Sequence, residues 1–306
     1  MSTLTLDSTP APLGSSPLIS SRLAYGLWRF ADGDQSLSLA QAKIEAALES
    51  GVTLFDHADI YGNGEAEALF GRVLAAQPEL REKMLIASKG GIIIGTPYDS
   101  SATYLRGAVE DSLRRLQVDV IDLYQIHRPD FLAHPAEVAA CLSALRAEGK
   151  IREIGVSNYL PSQARALQRH LDFPLVTRQP EFSCWTWSPL QDGVLDQCME
   201  EGQTPLAWSP MAGGRLGLGL AEARERDPSG RLAALLECLD QIATEQEVSR
   251  GAVALAWILA HPARVIPILG TQRIERIRDA WSAFKVQLTR FQWNQILQAA
   301  MGAPLP

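Results

Sequence analysis

No apolar run in this chain approaches the ~20 residues that a membrane-spanning helix needs. Met1 to Ser16 holds no basic residue and no long apolar core, so neither a signal peptide nor a transit peptide is expected. Positive charge is not in excess. The 28 Lys and Arg stand against 35 Asp and Glu, a formal net charge of -7, which argues against a nucleic-acid surface. Cysteine is scarce: Cys141, Cys184, Cys198 and Cys238 form no C-x-x-C pair and are expected to be free thiols in a reducing compartment. The five histidines show neither H-x-H nor H-E-x-x-H spacing, so no metal site is expected. No G-x-G-x-x-G follows a strand pattern and no G-x-S-x-G occurs. Gly90 to Thr96 has glycines at phosphate-loop spacing, but no lysine precedes Thr96. These absences leave a cytoplasmic protein whose partner is a small molecule, with no nucleic acid, membrane or metal.

What is present is regular alternation. The chain has 306 residues, 46% hydrophobic and 21% charged, enough for one α/β barrel of ~250 residues with long loops. After a Ser/Thr/Pro-rich extension over residues 1–20, strand patterns are expected at Leu23–Leu27, Thr53–Asp56, Met84–Ser88, Asp119–Ile126, Ile154–Val156, Leu175–Gln179, Pro205–Trp208 and Val265–Leu269. Helical patterns follow each, among them Thr103–Gln117, Pro135–Glu148, Arg231–Ala260 and Ile274–Ala283, with a last helix near Arg290–Ala300. Runs such as Met84-Leu85-Ile86-Ala87 are apolar on both faces, as parallel strands covered by helices require. Eight such units predict a single (β/α)8 TIM barrel domain over 1–306, with a C-terminal extra helix and the active site at the C-terminal ends of the strands. An open doubly wound sheet is the alternative.

Four polar residues stand where strand patterns end: Asp56, Tyr61, Lys89 and His127. Each has an ordinary reading taken singly. Asp56 could cap a helix, Lys89 could be a surface lysine, and His127 could close a strand before Arg128-Pro129-Asp130. Jointly, parallel strands would bring a carboxylate, a phenol, an amine and an imidazole to one edge. Such a set can move a proton to a carbonyl oxygen. A phenol near pKa ~10 is a poor acid at neutral pH, and an ammonium at Lys89 is expected to lower Tyr61. No side chain supplies a hydride, so a nicotinamide cofactor is required.

The second half offers a place for one. Ser157 and Asn158 end the fifth strand pattern and Gln179 the sixth, where they could bind a carboxamide; a helix cap before Pro161 is the competing use of Ser157 and Asn158. Trp208, followed by Ser209, ends the seventh, where a flat ring could stack on nicotinamide or simply pack in the core. After the eighth, Gly270, Thr271, Gln272 and Arg276 form a glycine turn and helix start suited to a phosphate. Trp28 and Arg29 follow the first strand pattern, and Trp185 and Trp187 the sixth. These four are expected to line the substrate pocket and to favour aromatic or apolar carbonyl compounds, unless Arg29 attracts a carboxylate.

These residues resemble the aldo-keto reductase superfamily. The resemblance is carried by Asp56-His57-Ala58-Asp59-Ile60-Tyr61-Gly62, Ser88-Lys89-Gly90, Gln125-Ile126-His127-Arg128-Pro129 and Gly149 to Asn158. It continues through Arg178 to Glu181, Ala207 to Pro210 and Ile268 to Arg278. Within the family the chain looks most like bacterial NADPH-dependent oxidoreductases with the Asp-His-Ala-Asp-Ile-Tyr-Gly variant.

The resemblance implies a (β/α)8 barrel that reduces aldehydes or ketones with NADPH, yielding NADP+. It implies Tyr61 as proton donor, supported by Asp56, Lys89 and His127, with Ser157, Asn158 and Gln179 on the carboxamide and Thr271, Gln272 and Arg276 near the 2′-phosphate. The chain departs from the family pattern at His57, where threonine or serine is usual, at Trp208, where tyrosine is common, and at Ala280, where asparagine is common. Two other functions remain open on the sequence: a cofactor-binding regulatory subunit of the same fold, and a barrel aldolase using Lys89 as a Schiff base.

Overall fold

The computed structural model describes residues 2–305. Eight strands close into a parallel barrel: β1 Ala24–Gly26, β2 Leu54–Asp56, β3 Leu85–Gly90, β4 Ile121–Ile126, β5 Ile151–Ser157, β6 Thr177–Gln179, β7 Thr204–Ala207 and β8 Ile266–Leu269. They follow one another around the ring in chain order, and β8 pairs with β1 to close it. The expected barrel is the observed one.

Helices α1 Leu37–Glu49, α2 Glu65–Ala76, α3 Ala102–Leu116, α4 Pro135–Ala147, α5 Pro161–Gln168 and α6 Val194–Glu201 fill the crossovers as far as β7. Each buries one stripe on the barrel. In α3 that stripe is Leu105, Ala108, Val109, Ser112 and Leu116, and Ser101 caps the helix by accepting the Tyr104 N–H. Three helices lie between β7 and β8: α7 Leu220–Arg226, α8 Arg231–Glu245 and α9 Arg250–Leu259. The helix α10, Ile274–Asp279, passes into a 3-10 turn at Ala280. The extra helix α11, Arg290–Met301, starts with a capping box at Thr289. Trp293 on α11 stacks on Trp257 of α9 at 4.7 Å, and each indole N–H donates to the other's backbone carbonyl. That reciprocal pair fixes α11 to the barrel's outer layer.

Four local features depart from the sequence expectation. The strand β5 begins at Ile151, earlier than Ile154: exposed Arg152 pairs with Asp122 on β4, and buried Glu153 pairs with Arg146 on α4. The loop after β3 holds a short hairpin, Ile92–Ile93 with Thr96–Tyr98, turned at Gly95 with φ 95°. The glycine-rich segment after β7 contains α7. The N-terminal extension is also structured: Ala11–Pro12 pairs with Ile19–Ser20. Its Leu13 and Leu18 pack with Ala24, Leu54, Leu123, Val176, Leu206 and Ile266 at the N-terminal ends of the strands. This hairpin plugs the base of the barrel. A cavity of about 910 Å³ also lies at the base, with Val120, Ile151 and Phe173 in its wall and none of the expected site residues.

Among the described residues no helix is long and apolar enough to cross a membrane, and no group of His, Cys, Asp and Glu is placed to hold a metal ion. The four cysteines are free.

Candidate active site

The polar residues that end β2, β3 and β4 meet at the mouth. Strand register places them: Asp56 lies opposite Ala87, and Lys89 opposite Gln125. Lys89 is fully buried. Its Nζ donates to Asp56 Oδ2 at 2.7 Å, to the His57 carbonyl at 2.7 Å and to the Tyr61 hydroxyl at 3.3 Å. An ammonium has three protons, and these three acceptors use all of them. Asp56 Oδ1 accepts a further bond of 2.9 Å from Gln179 Nε2, across the barrel on β6.

Tyr61 reaches this cluster because the chain turns sharply after it. Gly62, Asn63 and Gly64 have φ of 57°, 56° and 92° before α2 begins. Two glycines and an asparagine are the residues that accept this left-handed backbone at least cost. His127 follows β4, its backbone N–H donating to the Gly90 carbonyl at 2.8 Å. Its ring meets Tyr61 edge-on, with centroids 5.9 Å apart and planes at 80°. No protein group bonds His127 Nδ1 among the described residues.

The electrostatics follow from burial and neighbours. Burial pulls the Lys89 ammonium down, but Asp56 and Tyr61 outweigh it and the net shift is upward. Tyr61 is also raised: burial dominates, and the opposing pull of Lys89 is smaller. The expectation that Lys89 lowers Tyr61 thus has the right sign for that one interaction and the wrong sign for the total. His127 is held well below its ordinary value by burial, then by Lys89 and Arg128. It is therefore neutral at pH ~7 and carries one ring proton to donate. A neutral imidazole, a phenol and an ammonium can together stabilise and protonate a developing alkoxide.

The residues expected from the second half lie on the same rim in two groups. The inner group is internally bonded. The Ser157 hydroxyl donates to the Gln179 carbonyl at 2.9 Å. The Asn158 amide donates to the His127 carbonyl and to Ser157 Oγ, and Asn158 Oδ1 accepts the Trp208 indole N–H at 3.0 Å. Asn158 and Ser209 have φ of 59° and 50°. The outer group is open. Gly270 and Arg276 are exposed, and Thr271 and Gln272 are half-buried. Arg273 pairs with Glu275 and Arg278 with Glu49, while Arg276 has no ion-pair partner among the described residues.

The four expected pocket residues separate. Trp28 is 58% exposed with the Arg29 guanidinium 5.1 Å from its ring. Trp185 and Trp187 pack on the cluster beneath α8 and α9 and line a cavity of about 550 Å³ with Gln191, Asp192 and Arg231. That lining contains none of the tetrad formed by Asp56, Tyr61, Lys89 and His127. Sequence reading missed the Gln179–Asp56 bond, whose partners are 123 residues apart. It also missed a bond from Tyr104 to Asp59, two residues before Tyr61. The strip 56–61 marks Asp59 as a neighbour of the tetrad, but nothing in the sequence points to Tyr104.

Comparison with known proteins places the whole chain in a family. The model of the aldo/keto reductase family matches residues 22–300. The chain is 46% identical to a 6-dehydroglucose reductase of Novosphingobium aromaticivorans, covering 100% of both chains. It is 40% identical to a protein of the same name from Agrobacterium fabrum, over 92% of this chain and 95% of that one. Among solved structures it is similar to the glycerol dehydrogenase of Gluconobacter oxydans, with a TM-score of 0.81 and 28% identity over 99% of this chain and 97% of that one. It is also similar to a thermostable aldo-keto reductase in complex with the inhibitor epalrestat, with a TM-score of 0.80 and 25% identity over 95% of this chain and 99% of that one. By barrel and by relatives, this chain is an oxidoreductase and belongs to the aldo/keto reductase family.

Proposed function

We propose that this protein is an NADPH-dependent reductase of sugar aldehydes, with Tyr61 as proton donor. The observation that carries the reading is the Lys89 ammonium held between Asp56, the His57 carbonyl and Tyr61. A nicotinamide cofactor supplies the hydride when bound. The substrate oxygen would lie between Tyr61 and His127. His127 orients it by donating its ring proton, and Tyr61 transfers the proton as charge develops. Lys89 stabilises the phenolate that remains, and Asp56 keeps Lys89 charged and aimed. An amine that spends three protons on three acceptors has no free lone pair, which disfavours the Schiff-base reading of Lys89.

The fit of a dinucleotide is supported by Arg276, an exposed guanidinium without an ion-pair partner while Arg273 and Arg278 beside it are paired. Arg276 would take the 2′-phosphate with Thr271 and Gln272, and Gly270 would let the chain approach it. Ser157, Asn158 and Gln179 would meet the carboxamide, with Trp208 and Ser209 beside the ring. The internal bonds of Asn158 then act to hold Trp208 in place.

The relatives named 6-dehydroglucose reductase support a hexose aldehyde as substrate. Trp28 offers a flat, exposed ring at the mouth, on which the C–H face of a sugar can rest. Steady-state reduction of 6-dehydroglucose and of benzaldehyde, followed by loss of NADPH absorbance, tests this. A higher kcat/KM for the sugar aldehyde is expected. A higher value for benzaldehyde would return the pocket to the aromatic preference that its tryptophans suggest.

A further inference from the structure

Behind the tetrad, outside the barrel, lies a second polar cluster that the reaction does not use. Asp59 sits two residues before Tyr61, and its backbone N–H donates to the Lys89 carbonyl at 3.0 Å. Its Oδ2 lies 2.8 Å from the Tyr104 hydroxyl on α3. The same hydroxyl lies 3.0 Å from the carbonyl of Ile92, the first residue of the hairpin beside the mouth. One phenol thus joins the loop that carries the proton donor to the hairpin that overhangs it.

The hydrogen count matters here. A tyrosine hydroxyl has one proton. If Asp59 is ionised, both neighbours of Tyr104 are acceptors, and the charged one wins because charge-assisted bonds are the stronger. The Ile92 carbonyl then loses its donor. If Asp59 holds a proton on Oδ2, it donates to Tyr104, Tyr104 donates to Ile92, and both bonds form.

We propose that Asp59 and Tyr104 are positioning residues. Protonated Asp59 lets Tyr104 tether the Ile92–Tyr98 hairpin at the mouth, and ionised Asp59 draws the Tyr104 proton away and frees the hairpin. The surroundings are consistent with a carboxyl that changes state in a useful range. Burial first, then the charge of Glu67, raises Asp59 to about 6 against the opposing Tyr104 bond and Arg115. The groups that face the cluster are Glu67 on α2, Arg115 and Tyr104 on α3, the buried Tyr124 hydroxyl on β4, and Tyr61. Glu67 is itself held by Arg115 at 2.7 Å and by Ser88 at 2.6 Å. The sign is that of a raised carboxyl: the tether is present below the folded pKa and is lost as pH rises through it. The effect on turnover rests on the proposed carbonyl reduction; the tether itself does not.

Hydrogen exchange of the hairpin amides, corrected for intrinsic rate and measured at about pH 5 and about pH 7.5, tests the tether directly. In the wild type, exchange over 92–98 is expected to be roughly three- to tenfold faster at the higher pH, the size of one ordinary hydrogen bond. Asp59→Asn keeps an amide donor at every pH and should exchange slowly at both. Tyr104→Phe should exchange fast at both. The same window should raise KM for the aldehyde in the wild type, with kcat little changed, and leave KM flat in both variants. A wild-type hairpin equally protected at both pH values would overturn the proposal, as would either variant keeping the wild-type difference. If the exchange behaves as expected but no NADPH-dependent turnover is found, the tether stands and the reductase reading fails.

Discussion

In the half of the barrel built from β1 to β4, the Lys89 ammonium is buried and spends its protons on Asp56, His57 and Tyr61. In the half built from β5 to β8, the Arg276 guanidinium stands in solvent with no ion-pair partner among the described residues. The difference is one of preparation. Proton transfer needs its groups held within a fraction of an ångström before the substrate arrives, and buried bonds hold them. On the proposed function, the phosphate of the cofactor would meet in Arg276 a charge free to adjust to it. The Gln179 bond to Asp56 joins the two halves.

The largest break in this comparison should come from Tyr61→Phe. Removing the proposed acid should lower kcat by ~10² to 10⁴ while NADPH affinity, measured by fluorescence titration, stays near wild type. Near-normal turnover would move the proton source elsewhere. Gln179→Leu cuts the bond between the halves. Losing one hydrogen bond to a charged group costs about 1.5–3 kcal/mol, so kcat should fall by about ten- to a hundredfold. An unchanged kcat would show that Asp56 needs no help from β6. Arg276→Ala should leave kcat alone and weaken NADPH binding by about ten- to a hundredfold, with NADH barely affected. Equal loss for both cofactors would mean that Arg276 does not meet the 2′-phosphate.

The smallest effect on turnover is expected at His57, whose ring is buried against Phe70 at 4.5 Å with no bond to either nitrogen among the described residues. Burial first, then Lys89, lowers it from 6.5 to about 3. The unfolded chain then binds a proton that the folded one refuses, so stability falls as pH drops from 6.5 toward 3. His57→Leu should remove that dependence. Between neutrality and pH ~5 the wild type should lose roughly 2 kcal/mol more than the variant in urea titrations. Parallel loss in both would show that the ring titrates freely.

The residues most legible in the sequence were those where a two-sided apolar run stops at a polar residue. Met84 to Ala87 announces a buried strand because parallel strands under helices admit little else. Asp56 and Lys89 stand out in the sequence for the same reason, and the structure brings them to 2.7 Å. β5 was read short because Arg152 and Glu153 look like loop residues until Asp122 and Arg146 are seen opposite them. The hairpin at Ile92 hid inside a glycine-rich loop, where two-residue strands leave no periodicity. Trp185 and Trp187 follow a strand as site residues do, yet they pack beneath α8 and α9, a matter of loop path that residue type does not encode.

The plug at the base also constrains how the chain comes together. Gly14 donates its N–H to the Thr204 hydroxyl at 2.8 Å, a partner 190 residues downstream. A methyl group at Gly14 would stand 2.5 Å from the Val176 carbonyl, so its backbone lies directly against β6. During synthesis this hairpin emerges before the strands it covers, and its bond to Thr204 must wait for 190 further residues. Contacts so distant in sequence form late, because loop closure comes before the reward. Until then Leu13 and Leu18 lack Leu206 and Ile266 as neighbours. The segment made before the strands it covers can seal their base only after the last of them is in place.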